Sequence, residues 1–293
     1  MKHLLSRIEK MMPGFSKGQR RIAQYIEEHY DKAAFMTASK LGATVGVSES
    51  TVVRFATEVG YEGYPQLQKA MQEMIRNKLT SVQRIEVTSN RIGDADVLDS
   101  VLNQDIDKIR RTLEETSHQS FYDAVDAIVS ARKIYILSAR SASALGLFLN
   151  YYFSLIFDQV ELVTTTSKTE IYEKMFRIND KDVVIGISFP RYSKQAVNAM
   201  NFAKKKGAKG VALTDSMLSP LAGQADYVLL ARSDMASVVD SLVAPLSLIN
   251  AIIVATALKK KDQVSETFQN LEEIWDEYEV YEKVEEDSVE SGI

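Results

Sequence analysis

The amino-acid sequence predicts two domains, an all-helical domain and then an α/β domain with a five-stranded parallel sheet flanked by helices. The length of 293 residues suits about two domains at roughly 100–200 residues each. Up to about Leu79 the apolar residues recur at three and four, which favours helices, whereas short apolar runs further on alternate with helical stretches. The predicted boundaries are 1–79 for the helical domain, 80–106 for a linker, 107–262 for the α/β domain and 263–293 for an acidic, partly helical tail.

The composition excludes several kinds of chemistry. The chain contains no cysteine, so it has no disulfide, thiolate zinc site or cysteine nucleophile. Its three histidines, His3, His29 and His118, are too scattered to indicate a metal cluster, and no cofactor is expected. Met1–Lys10 lacks the apolar region of a secretory signal. Leu242–Leu258 is interrupted by polar residues and is shorter than the about 20 apolar residues of a membrane span, so it predicts a buried core helix. We expect a cytoplasmic protein without a membrane partner.

Charge is distributed unevenly along the chain, whose net charge is −5. Residues 1–80 contain 12 Lys and Arg against 8 Asp and Glu, whereas residues 81–293 contain 23 against 32. This balance excludes a globally basic nucleic-acid binder, but a basic module on an acidic body can face a polyanion with one end. Because the basic excess is modest, charge alone leaves nucleic-acid binding open.

Capping residues and apolar spacing predict the first helices. Leu4, Leu5 and Ile8 indicate one short helix. Ser16 is a candidate N-cap for the next helix. The core face of that helix comprises Ile22, Ala23, Ile26 and Tyr30.

A short helix, a glycine turn and a second helix follow. Thr37 is placed to cap the short helix, and Gly46 supplies the tight turn. Ser48 is placed to accept from the unpaired N–H groups of the second helix, with Glu49 favourable in its first turn. Gly60 fits the residue just past its end. The core face of this second helix comprises Val52, Phe55, Ala56 and Val59.

The other face of the second helix carries Ser50, Thr51 and Arg54. Such residues suit a recognition helix in the major groove. There Arg donates to both O6 and N7 of guanine, and Ser or Thr can form hydrogen bonds with the edges of several bases. Spacing alone favours an ordinary helical hairpin with a solvated face. The residue pattern by itself therefore leaves both interpretations open.

The segment Ser48–Tyr64 resembles the DNA-binding domain of RpiR-type bacterial transcriptional regulators, in Ser-Glu-Ser-Thr-Val-Val-Arg-Phe followed by Val-Gly-Tyr-Glu-Gly-Tyr. The resemblance implies a double-stranded DNA operator as partner, with Ser50, Thr51 and Arg54 nearest the bases and Ser48 in the same DNA-binding set. Candidate phosphate contacts, each equally compatible with a solvated surface residue, are Lys17, Arg20, Arg21, Lys40 and Tyr64.

Five β-rich runs indicate the second domain. They are Lys133–Leu137, Val160–Thr164, Asp182–Ser188, Gly210–Thr214 and Asp226–Ala231. Continuous apolar runs suit strands buried on both faces. Alternation with helical stretches implies a parallel sheet with right-handed crossovers, in which ligands bind at the carboxyl ends of the strands near a switch point.

Polar loops follow four of the predicted strands. Hydroxyls beside helix N-termini form an anion cradle, because backbone N–H groups and the helix dipole favour negative charge. Ser and Thr are also ordinary N-caps, which would explain any one loop, but four such loops with two arginines favour a small-molecule site. Its candidate residues are Ser138, Arg140, Ser141, Ser143, Ser188, Arg191 and Ser193.

The range Asp107–Lys260 resembles the sugar isomerase (SIS) domain, the usual effector module of RpiR-type regulators. The resemblance is clearest in Lys181–Ser188, Lys206–Asp215 and Ser219–Val228. It implies a ligand-sensing and dimerisation domain.

The sequence departs from this family where a sugar phosphate binds. The usual first loop is Gly-x-Gly-x-Ser, and here Ser138 and Arg140 replace the glycines while Ala142 replaces the serine. The usual third loop is Ser-x-Ser-Gly-Glu-Thr; its end hydroxyls are matched, but its middle is Pro190, Arg191 and Tyr192. Arginines can instead pair an anion bidentately. We expect a small anionic, sugar-derived effector, such as a sugar acid, rather than a standard hexose phosphate.

Three functional classes compete. They are a ligand-responsive regulator of carbohydrate-metabolism genes, a fused sugar-phosphate isomerase, and a DNA-binding scaffold whose second domain only oligomerises. An isomerase needs a base near the substrate carbon. The rim loops contain no histidine, and Glu170 is more simply a helix-start residue, so we predict no catalytic residue and no enzyme. A homodimer or higher homo-oligomer is expected, because two-fold symmetry doubles the contacts to a palindromic operator.

The sequence also predicts the secondary structure of the linker region and of the C-terminal tail. Val87–Gly93 predicts a loop in the linker, and the apolar residues Val97, Val101, Ile109 and Leu113 predict a helix after it. In the tail, Leu271, Ile274, Trp275 and Tyr278 have helical spacing, which predicts a helix that packs before fraying near Glu285.

Overall fold

A computed structural model of the chain describes residues 3–75, 81–93, 95–165, 167–233 and 239–282. The contacts within the structure divide the chain into two compact units. The first comprises residues 1–114, 189–193 and 232–244, and the second comprises 115–188, 194–231 and 245–293. The domain boundaries at residues 79, 106 and 262 stay predictions.

The N-terminal part of the first unit is helical, as predicted. Its helices are α1 (His3–Met11), α2 (Lys17–Glu28), α3 (Tyr30–Ala33), α4 (Ala38–Val45), α5 (Glu49–Glu58) and α6 (Tyr64–Ile75). The start of α2 is fixed by a capping box in which Ser16 and Gln19 bond each other's backbone. Ile22, Ala23 and Ile26 are fully buried, as predicted. Tyr30 is half-buried and lies in α3, because α2 already ends at Glu28.

The turn between α4 and α5 has the predicted geometry. The Thr37 side chain accepts from the backbone N–H of Lys40 at 3.2 Å and caps α4. Gly46 follows with φ 70°, a left-handed conformation that glycine adopts without strain. A Cβ at Gly42 would lie 2.8 Å from the carbonyl oxygen of Val47, so the two helices can approach only with glycine there.

Two further helices follow, α7 (Ser81–Ile92) and α8 (Val97–Glu115). The predicted helix at Val97–Leu113 is therefore confirmed. The predicted loop over Val87–Gly93 is wrong, because the chain stays helical to Ile92 and only Gly93, at φ 55°, turns away.

The second unit contains a five-stranded parallel sheet in the order β2-β1-β3-β4-β5. Its strands are β1 (Ile134–Ser138), β2 (Val160–Val163), β3 (Val183–Ile187), β4 (Lys209–Thr214) and β5 (Tyr227–Leu230). Each lies within one or two residues of its predicted run. The strands β1 and β3 are buried along their whole length, which explains why their sequences are continuously apolar.

Further helices flank or follow this sheet. They are α9 (His118–Val129), α10 (Ser143–Ile156), α11 (Lys168–Met175), α12 (Lys194–Lys205), α13 (Val243–Lys259) and α14 (Lys261–Glu277). An apolar cluster joins the strands to α11 and α12, with Met175, Val184, Met200 and Leu221 fully buried. The start of the sheet is tied by Asp182, whose carboxylate accepts from the Arg132 guanidinium at 2.9 and 2.7 Å.

The two C-terminal helices agree in part with the sequence prediction. The stretch Leu242–Leu258 forms α13, with Leu248, Ile249 and Ile252 buried. In α14, Leu271 and Trp275 are half-buried but Ile274 and Tyr278 are exposed, so the predicted packing face is only partly covered. The expected fraying near Glu285 lies outside the described residues.

Among the described residues, no single helix has the length and apolar composition to cross a membrane. The helices α13 and α14 reach that length and composition only as a pair, with a bend of 98° between them.

Candidate DNA-binding and ligand-binding sites

The structure separates the two faces of α5 as the sequence predicted. Val52, Phe55 and Ala56 are fully buried in the helical core, together with Val59 at the helix end. Arg54 and Ser50 are exposed, and Thr51 is half-buried. The exposed residues near the start of α5 are thus available to a partner.

The role predicted for Ser48 as a cap is only partly correct. Ser48 is the N-cap residue of α5, but its side chain makes no capping hydrogen bond to the backbone. Its Oγ instead lies 2.9 Å from both Ser50 Oγ and Thr51 Oγ1. Competition among neighbouring hydroxyls explains the difference. The result is a cluster of three hydroxyls at a helix N-terminus, where the dipole favours negative charge.

Four of the predicted phosphate contacts are exposed. Lys17 and Lys40 lie at the starts of α2 and α4. The Arg20 guanidinium donates to the carbonyl oxygens of Phe15 and Pro13, at 3.0 and 3.2 Å. Arg21 Nη1 donates to the carbonyl oxygen of Gly46 at 3.2 Å, at the glycine turn. Backbone carbonyls thus hold both guanidiniums at the surface while leaving other N–H groups of each free to donate.

The prediction that Tyr64 contacts a phosphate is wrong. Tyr64 is 4 % exposed, and its hydroxyl donates to the carbonyl oxygen of Met36 at 2.8 Å. Burial raises the pKa of this hydroxyl above its ordinary value near 10. Its aromatic ring packs in the helical core, so Tyr64 ties α6 to the segment before α4 instead of facing DNA.

The order of the strands locates the candidate ligand site. The chain passes from β1 to β2 on one side and then to β3 on the other, so the switch point lies between β1 and β3. Ser138 ends β1 and is registered with Ile187, the last residue of β3. Ser188 follows directly and is 4 % exposed. The structure therefore brings Ser138 and Ser188 together at the place where ligands bind in open α/β sheets.

A small cavity of about 10 Å³, with room for about one water molecule, lies at the carboxyl ends of β1 and β2. Its lining comprises Leu137, Ser138, Ala139, Val163, Thr165, Ile171, Gln195, Ala196 and Ala199. Ser138 is 3 % exposed, and its Oγ is buried with no hydrogen-bond partner among the described residues. A Cβ at Gly146 would lie 2.1 Å from this oxygen, so glycine in α10 is required for the serine to sit there.

The loop from β1 to α10 adds two features. The start of α10 has no side-chain capping bond, whereas Ser167 caps α11 by accepting from the backbone N–H of Glu170. A short 3₁₀ helix, Arg140–Ala142, precedes α10 directly, and the backbone N–H of Ser143 donates to the carbonyl oxygens of Arg140 and Ser141. Arg140 is exposed and has φ 58°, in the left-handed region. Ser141 is exposed and Ser143 half-buried, as the first turn of α10 begins.

The third loop belongs by its contacts to the first unit. Arg191 is exposed with φ 66°, and Ser193 is half-buried. Among the described residues, Arg140, Arg191 and Glu279 are the non-glycine residues with positive φ. The two arginines therefore adopt the backbone conformation that suits the glycines they replace in the resemblance.

Sequence reasoning missed two residues of the cavity, Thr165 and Gln195. The run of threonines after β2 was a usable signal for the first, but Gln195 stands in α12 without any local pattern. Glu170 lies in the first turn of α11 and accepts from Thr165 Oγ1 at 2.6 Å, as a helix-start residue does. The residues described around the cavity include no carboxylate or histidine. No group of three or more His, Asp or Glu side chains in the described ranges is arranged to hold a metal ion.

Comparison with known proteins identifies both parts of the chain. Residues 2–78 match the helix-turn-helix domain of the rpiR family, and residues 127–255 match the SIS domain. A helix-turn-helix domain followed by a SIS domain defines a class of transcriptional regulators. The chain belongs to the RpiR family of helix-turn-helix regulators.

Relatives span most of the chain. An uncharacterised HTH-type transcriptional regulator of Caldanaerobacter subterraneus is 24% identical over 284 residues, which cover 94% of this chain and 97% of that protein. HexR of Escherichia coli, an HTH-type transcriptional regulator, is 25% identical over 230 residues, covering 76% and 75%.

Two solved structures share the fold. Vibrio vulnificus NanR, complexed with ManNAc-6P, gives a TM-score of 0.56 at 22% identity and covers 93% of this chain and 97% of its own. The sugar isomerase domain of an RpiR transcription factor from Sphaerobacter thermophilus gives 0.58 at 24% identity, covering 60% and 98%.

Proposed function

We propose that this regulator senses a small anionic, sugar-derived metabolite through its SIS domain and thereby changes its binding to an operator of carbohydrate-metabolism genes. The proposed partners are double-stranded DNA and the effector, the proposed assembly is a homodimer, and the proposed location is the cytoplasm. The SIS domain then acts as a sensor and not as an enzyme.

The observation that carries the proposal is the buried Ser138 hydroxyl at the switch point. A buried hydroxyl without a partner costs about 1–3 kcal/mol. A ligand oxygen at the end of β1 would remove that cost. The exposed Arg140 supplies positive charge at the same loop. Together these groups favour an oxygen-rich anion.

The class of effector is supported from two directions. NanR, which shares the fold, is complexed with a sugar phosphate. In this chain, however, arginines stand where the family's phosphate loops have glycine, which favours a ligand with a planar carboxylate that a guanidinium can pair with bidentately. We therefore propose a sugar acid ahead of a plain hexose phosphate.

The effector is tested by isothermal titration of the full chain against a panel of phosphosugars and sugar acids. We expect an anionic sugar derivative to bind, and Arg140→Ala to raise its Kd about tenfold or more, the size of one lost charge-assisted pair. Arg191→Ala tests the third loop in the same way. Arg177→Ala, an exposed arginine outside these loops, serves as the matched control.

Three outcomes would count against the proposal. Tight binding of a plain hexose phosphate that survives both arginine substitutions removes the sugar-acid assignment. Turnover of a phosphosugar identifies an isomerase. No binding by any member of the panel favours a SIS domain that only oligomerises.

DNA reading is tested separately through Arg54. We expect Arg54→Ala to cost about 1–3 kcal/mol of operator affinity and to relax specificity, without changing effector binding. Unchanged discrimination between operator and random DNA would remove Arg54 from the reading surface. Arg177→Ala is again the control.

A further inference from the structure

Helix α8 lies in the stretch between the two family matches, residues 2–78 and 127–255. One of its faces is packed within the chain. Lys108 and Thr112 are buried, and Thr112 Oγ1 accepts from the backbone N–H of Arg232 at 2.8 Å. Asp105 Oδ1 accepts from Ser241 Oγ at 2.7 Å. These bonds fix the helix on segment 232–244 and determine which side faces outward.

The adjoining face of α8 carries a continuous apolar stripe that none of the described residues covers. We call it the α8 seam, and it comprises Leu98, Leu102, Ile106, Ile109 and Leu113. Their exposed fractions lie between 38 and 69 %. The spacing of four, four, three and four keeps all five on one side of the helix, over a length of about 22 Å. Monomeric proteins rarely expose so continuous an apolar surface.

We propose that the α8 seam packs against the α8 seam of a second copy of this chain, with the two helices antiparallel. A two-fold interface requires one surface that is complementary to itself. This seam meets that requirement, because its larger exposed residues, Leu98 and Leu113, lie at opposite ends and Ile106 lies near the middle. The proposal names the contact behind the proposed homodimer and rests on that part of the proposed function.

The charges beside the seam favour the antiparallel arrangement. Asp99 and Arg110 are exposed, lie along the same edge of the seam and stand near its opposite ends. Antiparallel pairing brings the same edge of both helices together and places Asp99 near Arg110 of the partner subunit, whereas parallel pairing puts the two equivalent edges on opposite sides of the interface and does not bring these charges together. Arg110 now pairs with Asp107 at 2.9 Å, but both side chains are more than 60 % exposed, so that pair holds it weakly.

Cross-linking tests the arrangement cleanly, because the chain contains no cysteine. With a short bismaleimide, Ile106→Cys should cross-link to its own copy, since it lies close to the two-fold axis. Leu98→Cys alone should not, because the two sulfurs would lie about 22 Å apart. An equal mixture of Leu98→Cys and Leu113→Cys chains should cross-link to each other. Leu218→Cys, on an exposed loop, is the control that should give no dimer.

Sedimentation of the full chain tests the seam itself. We expect the wild type to be dimeric at micromolar concentration. Leu102→Glu with Ile109→Glu should raise the dimer Kd about a hundredfold or more, because two charges per copy enter an apolar interface. Leu218→Glu should leave it unchanged. Unchanged helical circular dichroism establishes that the seam variant is folded, as expected for surface positions.

Contradicting results are equally specific. A monomeric wild type, or a dimer that the paired glutamates do not weaken, overturns the seam as the interface. Self-cross-linking of Leu98→Cys alone overturns the antiparallel arrangement. Neither experiment uses effector or DNA, so its failure is distinct from failure of the sensing proposal.

Discussion

At the scale of single residues, the N-cap serines of α2 and α5 differ in what their side chains bond. Ser16 at the start of α2 bonds the backbone, whereas Ser48 bonds Ser50 and Thr51. The first N–H groups of α5 therefore lack a side-chain acceptor. We expect a phosphate or base oxygen of the operator to take that place.

The two N-cap serines allow a matched comparison. Ser16→Ala should lower the free energy of unfolding by about 1 kcal/mol, because it removes a capping bond. Ser48→Ala should change stability much less and weaken operator binding more. Chemical denaturation and a DNA-binding titration measure both quantities. Equal stability losses for the two variants would show that Ser48 acts as an ordinary cap in solution.

Tyr64 gives a second prediction at this scale. Tyr64→Phe should lower the free energy of unfolding by about 1 kcal/mol. The loss is small because the carbonyl oxygen of Met36 still accepts a hydrogen bond from the Gln68 side chain. Burial raises the pKa of the Tyr64 hydroxyl, so the native fold loses stability relative to the unfolded chain as pH rises above about 10. The variant should therefore unfold less steeply with alkaline pH. Its operator affinity should be unchanged; a weaker affinity would restore the phosphate role.

At the scale of elements, the candidate ligand site depends on how α10 packs on β1. Gly146 faces Ser138 so closely that no larger residue fits. The helix thus gives up the higher helix propensity of alanine to make room for one serine. The same approach brings the N-terminus of α10 to the end of β1.

Gly146→Ala should lower stability by roughly 1–3 kcal/mol, as overpacking of a tight contact does. It should also weaken effector binding, because Ser138 must move. Gly223→Ala is the matched control, since a Cβ there would meet nothing within 4 Å. Thermal unfolding and titration with the identified effector measure the two effects. Wild-type behaviour of Gly146→Ala would mean that the helix shifts freely.

The elements also show what sequence can predict. Strands buried on both faces need unbroken apolar runs, which explains why the sequence predicts β1 and β3 so directly. The strands β2 and β5 are less buried, but short β-rich runs between helical stretches still predict them. The predicted loop, Val87–Gly93, falls on the second half of α7, a stretch with few apolar residues, and earlier in the same helix Val82 and Ile85 are exposed. Helix α7 is held by Arg84, whose Nη1 lies 2.7 Å from Asp240 Oδ1. Within the helix, the Thr88 hydroxyl donates to the backbone carbonyl oxygen of Arg84. A contact between residues 156 positions apart leaves no local signal.

The same limit applies to the candidate site. Ser138 and Ser188 followed from the rule that ligands bind beyond the carboxyl ends of parallel strands. Tyr64 was misassigned because residue type and position do not show that a phenol is buried. Gln195 was missed because only the fold brings α12 to the end of β1.

At the scale of the whole molecule, charge is distributed unevenly between the two parts of the chain. The first 80 residues have an excess of four positive charges, and the remainder has an excess of nine negative charges. DNA should repel the acidic part, so binding should depend on a small number of basic groups near α2 and α4.

Salt dependence measures that number. The logarithm of the operator affinity should fall linearly with the logarithm of salt, by about 0.9 for each phosphate contact. Lys17→Ala and Lys40→Ala should each reduce the magnitude of the slope by about 1 per binding domain. Lys209→Ala, an exposed lysine of the SIS domain, should leave the slope unchanged. A slope unaffected by Lys17 and Lys40 would assign both to solvated surface.

The left-handed backbone of Arg140 has a consequence for selection. An L-residue at φ 58° is strained by roughly 1–2 kcal/mol, and glycine at the same position would not be. A library randomised at position 140 and sorted only for survival at high temperature should therefore enrich glycine. Sorted for response to the effector, the same library should return arginine. Thermal stability and effector response would then select different residues at position 140. The residue at that position in a given regulator would indicate which of these two properties selection has favoured.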